Sequence, residues 1–122
     1  MSRISEEFRH RTKAHAAAAV RCYVSLPRSR KEVEVLGHQM LRSGTSVAAN
    51  VREASRARSD AEFASKLDIA ITEADETELW LELLMEECGI RDASISALHK
   101  ETGEILAILV TIVSKVRNNL KS

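Results

Sequence analysis

The sequence has little of what all-β, disulfide-bonded or base-stacking proteins require. It contains 1 proline and 4 glycines in 122 residues, too few turn residues for an all-β domain, which needs a turn about every 8–12 residues. The 2 cysteines, Cys22 and Cys88, form no CxxC motif, so we interpret them as small core residues rather than as a disulfide. Only 4 aromatic residues occur, which leaves little to build a surface for stacking unpaired bases.

Long hydrophobic runs and metal-binding motifs are also missing. The longest apolar run, residues 105–113, includes Thr111 and is far shorter than the roughly 20 residues that cross a bilayer. The apolar segment 14–20 is broken by His15 and followed by Arg21, which makes it a poor signal-peptide core. The 4 histidines form no HxxxH or HExxH pair. We therefore expect a cytoplasmic protein without a metal, a cofactor or a membrane partner.

Neither sign of charge is in excess, but the two signs are unevenly distributed. The 18 basic residues balance the 18 acidic residues, which excludes a wholly basic nucleic-acid-binding protein. Residues 1–58 contain 12 basic and 5 acidic residues, whereas residues 59–122 contain 6 basic and 13 acidic residues. A local basic surface therefore remains compatible with the sequence.

The hydrophobic pattern predicts four helices, at about residues 5–25, 32–58, 60–87 and 93–119. Pro27 ends the first helix, because proline lacks an amide hydrogen and clashes with the preceding turn. Residues 59–62 form a capping box that starts the third helix, and Gly89 stands where a C-cap glycine is expected. Asp92 or Ser94 is expected to cap the fourth helix. Helices this long with short loops predict a single all-α domain over residues 1–122, an antiparallel up-down-up-down four-helix bundle.

Apolar side chains recur at alternating spacings of four and three along each predicted helix, and this places them on one face. The faces of the first and third helices are the most regular: Phe8, Thr12, His15, Ala19, Cys22 and Leu26 in the first, and Phe63, Leu67, Ala70, Ala74, Thr77, Leu81, Leu84 and Cys88 in the third. The main face of the fourth helix is Leu98, Ile105, Ile108, Leu109, Ile112, Val116 and Leu120. Leu106, Val110 and Val113 widen this face beyond the need of one bundle interior, which indicates a further contact such as a subunit partner.

The up-and-down topology would collect basic residues at one pole of the bundle. The candidates for nucleic-acid binding there are Arg9, Arg11, Lys13, Arg52, Arg56, Arg58, Lys115 and Arg117. One interpretation is structural, because cations near helix C-termini complement the helix dipole. The other is functional, because a basic pole can contact phosphates. The sequence leaves both open.

A polar stripe borders the apolar face of the second helix. It comprises Gln39, Ser43, Ser46, Asn50 and Glu53, with Glu73, Glu76 and Thr77 of the third helix as prospective partners. Buried polar groups need hydrogen bonds, so we interpret the stripe as helix pairing or a subunit interface. An active site using Glu73 or Glu76 near Ser46 is disfavoured, because the stripe has no histidine and the chain has no nucleophile elbow, phosphate loop or metal pair. We expect the protein not to be an enzyme.

Three stretches of the chain resemble a known bacterial family. They are Leu26–Pro27, the pattern Gln39-x-x-Arg42-Ser43-x-Thr45-Ser46-Val47-x-Ala49-Asn50-x-x-Glu53, and the pattern Phe63-x-x-x-Leu67-x-Ile69-Ala70-x-x-Glu73-x-x-Glu76-Thr77. Together they resemble the S23 proteins, also called 23S rRNA intervening-sequence proteins, from about Phe8 to Leu120. The chain differs from the pattern in having Ala54 where the family often has glycine.

The resemblance implies a four-helix protomer that assembles into a homo-oligomeric ring, a pentamer. Related accessory proteins of diversity-generating retroelements bind nucleic acid and a reverse transcriptase through basic surfaces, and they are strongly basic where this chain is neutral. The first hypothesis is therefore a ring-forming protein that binds RNA or DNA weakly through its basic pole. The alternative is a structural or protein-binding oligomer without nucleic-acid activity.

Overall fold

The computed structural model describes residues 3–121 and confirms the all-α four-helix bundle. The helices are α1 (Glu6–Ser25), α2 (Lys31–Ser55), α3 (Asp60–Glu86) and α4 (Ala93–Lys121), with no strand among the described residues. Each helix packs against the next in the chain, and α4 closes on α1 through a smaller contact. No helix within residues 3–121 is both long and apolar enough to cross a membrane.

The core lies where the spacing of apolar residues predicts it in α1 and α3. Every residue of the predicted faces of these two helices is buried, and Cys22 and Cys88 are buried free thiols. Burial raises the pKa of the Cys22 thiol to about 11. In α4 the buried set includes Ile95, Thr102 and Val113, whereas Leu120 of the predicted main face is 51% exposed. Thr102 was not among the residues predicted for the buried face of this helix, because it is polar.

The end of α2 differs from the prediction of a helix to residue 58. The helix ends at Ser55, and Arg56 turns out of it with its N–H donating to the Glu53 carbonyl at 3.1 Å. Ser59 must be extended (φ −148°, ψ 162°) so that its hydroxyl can accept a hydrogen bond from Glu62 N at 3.1 Å. The capping of α3 therefore ends α2 early and leaves Arg58 in the connecting loop.

The other predicted helix ends are close to those observed. Asp92, rather than Ser94, accepts the capping hydrogen bond, from Ile95 N at 2.9 Å. Gly89 has a φ of 74°, the left-handed conformation of a C-cap glycine. The fourth helix continues to Lys121, two residues past its predicted end at about 119.

A histidine is built into the centre of the bundle. His15 is 2% exposed, and its Nε2 is hydrogen bonded to Thr102 Oγ1 at 2.7 Å, which joins α1 to α4. Burial lowers the pKa of His15, because the imidazolium form would lose its hydration.

The free energy of unfolding is therefore expected to fall as the pH drops below about 6.5. The unfolded chain takes up the His15 proton at its ordinary pKa of about 6.5, while the folded chain resists it, so acid favours unfolding. Urea denaturation of the wild type and of His15→Gln at pH 7.0 and 5.5 measures this. The wild type should lose more stability than the variant over this interval. Equal losses would show that His15 does not contribute to the pH dependence.

Candidate nucleic-acid interface

Four of the eight predicted cations line one groove between α1 and α2. We call it the basic groove. It encloses about 370 Å³ and is lined by Glu6, Arg9, His10, Thr12 and Lys13 of α1, by Ala48, Val51, Arg52 and Ser55 of α2, and by Arg56, the C-cap residue that follows α2. Sequence reasoning missed His10, Thr12 and Ser55 as lining residues, although the antiparallel pairing of α1 with α2 brings the beginning of one helix beside the end of the other.

Helical spacing explains how the four cations come together. Arg9 and Lys13 are four residues apart on α1, and Arg52 and Arg56 are four residues apart where α2 ends. Residues at this spacing lie one above the other on the same side of a helix, and Arg56 is the C-cap residue directly after the last turn of α2. Small Ala48 keeps the groove open between the two rows, and Val51, which is fully buried, forms part of its floor.

The four cations of the basic groove are not neutralised by neighbours. Among residues 3–121, none of the four has a carboxylate oxygen within 4.0 Å. Glu6 is the one acidic residue that lines the groove, and its carboxylate lies 4.0 Å from His10 Nε2. The acidic Glu53 nearby is paired with Lys66 on α3 at 3.2 Å. The basic groove therefore carries an excess of uncompensated positive charge.

The helix dipole accounts for only half of these cations. Arg52 and Arg56 lie where α2 ends, where a positive charge interacts favourably with the helix carbonyls. Arg9 lies in the first turns of α1, followed by Lys13, and there the dipole gives a cation no stabilisation. The structural interpretation of the basic pole therefore does not extend to the α1 side of the groove.

Arg11 and Arg117 are engaged in ion pairs instead of facing solvent freely. Arg11 donates to both oxygens of Glu101 on α4 at 2.7 Å and to Glu104 at 2.8 Å. Hydrogen bonding from Arg11 lowers the pKa of Glu101. Arg117 of α4 donates to both carboxylate oxygens of Asp68 on α3. These two arginines connect helices of the bundle.

Arg58 and Lys115 lie outside the basic groove. Arg58, in the α2–α3 loop, lines a separate depression of about 320 Å³ with Arg56 and Lys66, where Glu53 and Glu62 offset two of the three positive charges. Lys115 is exposed on α4. The predicted pole is therefore divided, and its unpaired cations are concentrated between α1 and α2.

The polar stripe lies along the contact between α2 and α3. Ser43 Oγ and Thr77 Oγ1 are buried and 2.8 Å apart, and each is also within hydrogen-bonding distance of a carbonyl of its own helix. Asn50 Nδ2 donates to the carbonyl and hydroxyl oxygens of Ser46 at 2.9 and 3.1 Å. The Ser43–Thr77 contact and the Glu53–Lys66 ion pair join α2 to α3, whereas the Asn50–Ser46 hydrogen bonds lie within α2.

The exposed border of the stripe is centred on Arg42. Its guanidinium lies 3.8 Å from Glu73 and 3.7 Å from Glu76, and its Nε donates to Gln39 Oε1 at 3.4 Å. The pKa of Glu73 is raised, first by burial and then by the neighbouring Glu76. Glu73 and Glu76 thus share one arginine.

Comparison with known proteins gives the same assignment as the sequence motifs. A profile of the family described as "23S rRNA-intervening sequence protein" matches residues 6–111. The chain belongs to this family. Its match includes the whole basic groove and the polar stripe. No curated protein is significantly similar to this family member.

A solved structure supports both the family and the fold. It is the crystal structure of a protein of unknown function from the S23 ribosomal protein family of Bacteroides thetaiotaomicron VPI-5482. The two chains are 40% identical and superpose with a TM-score of 0.79, over 87% of this chain and 97% of that one. At this identity and coverage the S23 bundle is shared along nearly its full length.

Proposed function

We propose that this intervening-sequence protein is a cytoplasmic homo-oligomer that binds nucleic acid weakly through the basic groove. The observation that carries the proposal is the concentration of four unpaired cations from two helices in one groove. Such cations attract phosphates and release their counterions on binding, whatever the base sequence. The zero net charge of the chain provides no long-range attraction, so the affinity is weak.

Self-association is the second part of the proposal. Large apolar side chains are exposed on all four helices, namely Val20, Val24, Val35, Ile69, Leu79, Val110 and Leu120. A contact between two different faces repeated around an axis closes into a ring, and a pentamer is the form that the family resemblance suggests. Light scattering on the purified protein measures the mass. A monomer at micromolar concentration would contradict this part.

A purely structural or protein-binding oligomer is the second candidate function. The exposed apolar side chains and the neutral charge favour it, because both suit protein contacts. It differs from the first in requiring no role for the unpaired cations. In either case we propose that the protein is not an enzyme.

Reversing two charges of the basic groove tests nucleic-acid binding. The double variant Arg52→Glu/Arg56→Glu should weaken binding to a structured RNA by roughly tenfold or more at low salt, because two phosphate contacts become repulsive. Gel shift at about 50 mM salt measures it.

The matched control is Arg91→Glu/Lys100→Glu. It changes the total charge equally, and both residues are exposed and outside the groove. The control should bind as the wild type does, and circular dichroism should show the same helix content in all three proteins. Equal weakening of RNA binding by both double variants would show that binding depends on the total charge of the protein and not on the basic groove. Absence of binding by the wild type would leave the second candidate.

A further inference from the structure

We propose that the basic groove recognises the two phosphate rows of a double helix rather than the backbone of a single strand. This inference rests on the proposed function. The cations form two rows, Arg9 with Lys13 on α1 and Arg52 with Arg56 at the end of α2. Within a row, four helical residues span about 6 Å along the axis. Between rows, packed helices are separated by about 8–10 Å.

Two rows of positive charge on long arginine and lysine side chains can reach phosphates on the two sides of a narrow groove between two nucleic-acid strands. The minor groove of B-form DNA is about 6 Å wide, and the major groove of A-form RNA is also narrow, so phosphates of the two strands face each other across either one. A single strand presents one row of phosphates. It would therefore contact both rows of cations only by crossing the groove between them.

The positions of the aromatic side chains support the same conclusion. Proteins that bind single strands stack the unpaired bases on aromatic rings. Here Phe8 and Phe63 belong to the core, and no Phe, Tyr or Trp lines the basic groove. Tyr23 is held by Glu34 at 2.9 Å, and Arg28 lies 4.8 Å from its ring centroid. In a duplex the bases already stack on one another, so a protein that binds duplexes needs no aromatic side chains for stacking.

Fluorescence anisotropy with three labelled probes tests the inference. The probes are a 20-base-pair RNA duplex, a DNA duplex of the same length and a 20-nucleotide oligouridine, at about 50 mM salt. At least one duplex should bind roughly tenfold more tightly than oligouridine. Comparison of the two duplexes tells whether A-form or B-form geometry is preferred. Arg52→Glu/Arg56→Glu should lose the duplex preference, whereas Arg91→Glu/Lys100→Glu should retain it.

The outcomes separate this inference from the proposed function. Equal binding of duplex and oligouridine, weakened by Arg52→Glu/Arg56→Glu, would overturn the duplex inference and leave the proposed function standing. No binding of any probe would overturn both. Duplex binding that is unchanged in Arg52→Glu/Arg56→Glu would show that the ligand lies elsewhere on the protein, which also overturns the inference. Arg52→Gln/Arg56→Gln gives the same test without placing acidic groups where α2 ends.

Discussion

Replacing Phe63 by alanine is expected to lower the free energy of unfolding by about 3–5 kcal/mol, the usual cost of emptying a phenylalanine site in a core. Phe63 is fully buried in the first turn of α3. It belongs to the same cluster of buried residues as Val47, Val51 and Ala54 of α2. The cavity left by the ring would therefore loosen the end of α2, which carries one row of the basic groove.

Thr72→Ala is the control for this prediction. Thr72 lies on the same helix but is exposed, so the variant should lose about 1 kcal/mol or less. Urea denaturation followed by circular dichroism measures both variants. All proteins must be compared at one protein concentration, because self-association would make the urea midpoint of unfolding depend on that concentration. Equal losses for the two variants would contradict the position of Phe63 in the core.

Replacing Gly44 by leucine is expected to destabilise the bundle by about 1–3 kcal/mol, the typical cost of overpacking. A Cβ atom on Gly44 would lie 3.0 Å from the Cβ of Ala19 on α1, and Ala19 is fully buried. A larger side chain would push α1 and α2 apart. The close contact at Gly44 sets the spacing between the helices that form the basic groove.

Gly103→Leu separates overpacking from helix propensity. Both substitutions should gain roughly 1 kcal/mol from removing a helical glycine. At Gly103, however, the nearest atom to an added Cβ is Glu78 Oε2 at 3.1 Å, the end of a side chain that can move. We expect Gly103→Leu to be neutral or stabilising in thermal denaturation. A Gly44→Leu protein as stable as the wild type would mean that the α1–α2 contact is not rigid.

The sequence predicted the helices better than their ends. The four-three spacing from Phe63 to Cys88 predicts a buried face without knowledge of the partner helices, because any bundle buries such a face. The early end of α2 depends on the conformation of Ser59 in the next helix cap. The burial of Thr102 depends on His15, which is 87 residues away in the chain.

For the candidate site, the sequence predicted the cations but not their pairing. Arg9 and Arg11 look alike in a helical pattern. Only the packing of α4 on α1 shows that Arg11 is bound by Glu101, while Arg9 faces the groove with α2. The sequence likewise did not predict the ion pair between Arg117 and Asp68 of α3. Ion pairing between helices depends on how both helices are rotated about their axes. The periodic pattern of one helix does not predict this relative rotation.

The dependence of binding on salt tests the central claim most directly, that four groove cations bind phosphates. For an RNA duplex, the logarithm of the binding constant should fall with the logarithm of salt concentration with a slope of about −3.6 for four phosphate contacts. Arg52→Glu/Arg56→Glu should reduce the slope to about half or less, and Arg91→Glu/Lys100→Glu should leave it unchanged. A slope near zero, or one slope shared by all three proteins, would contradict the claim.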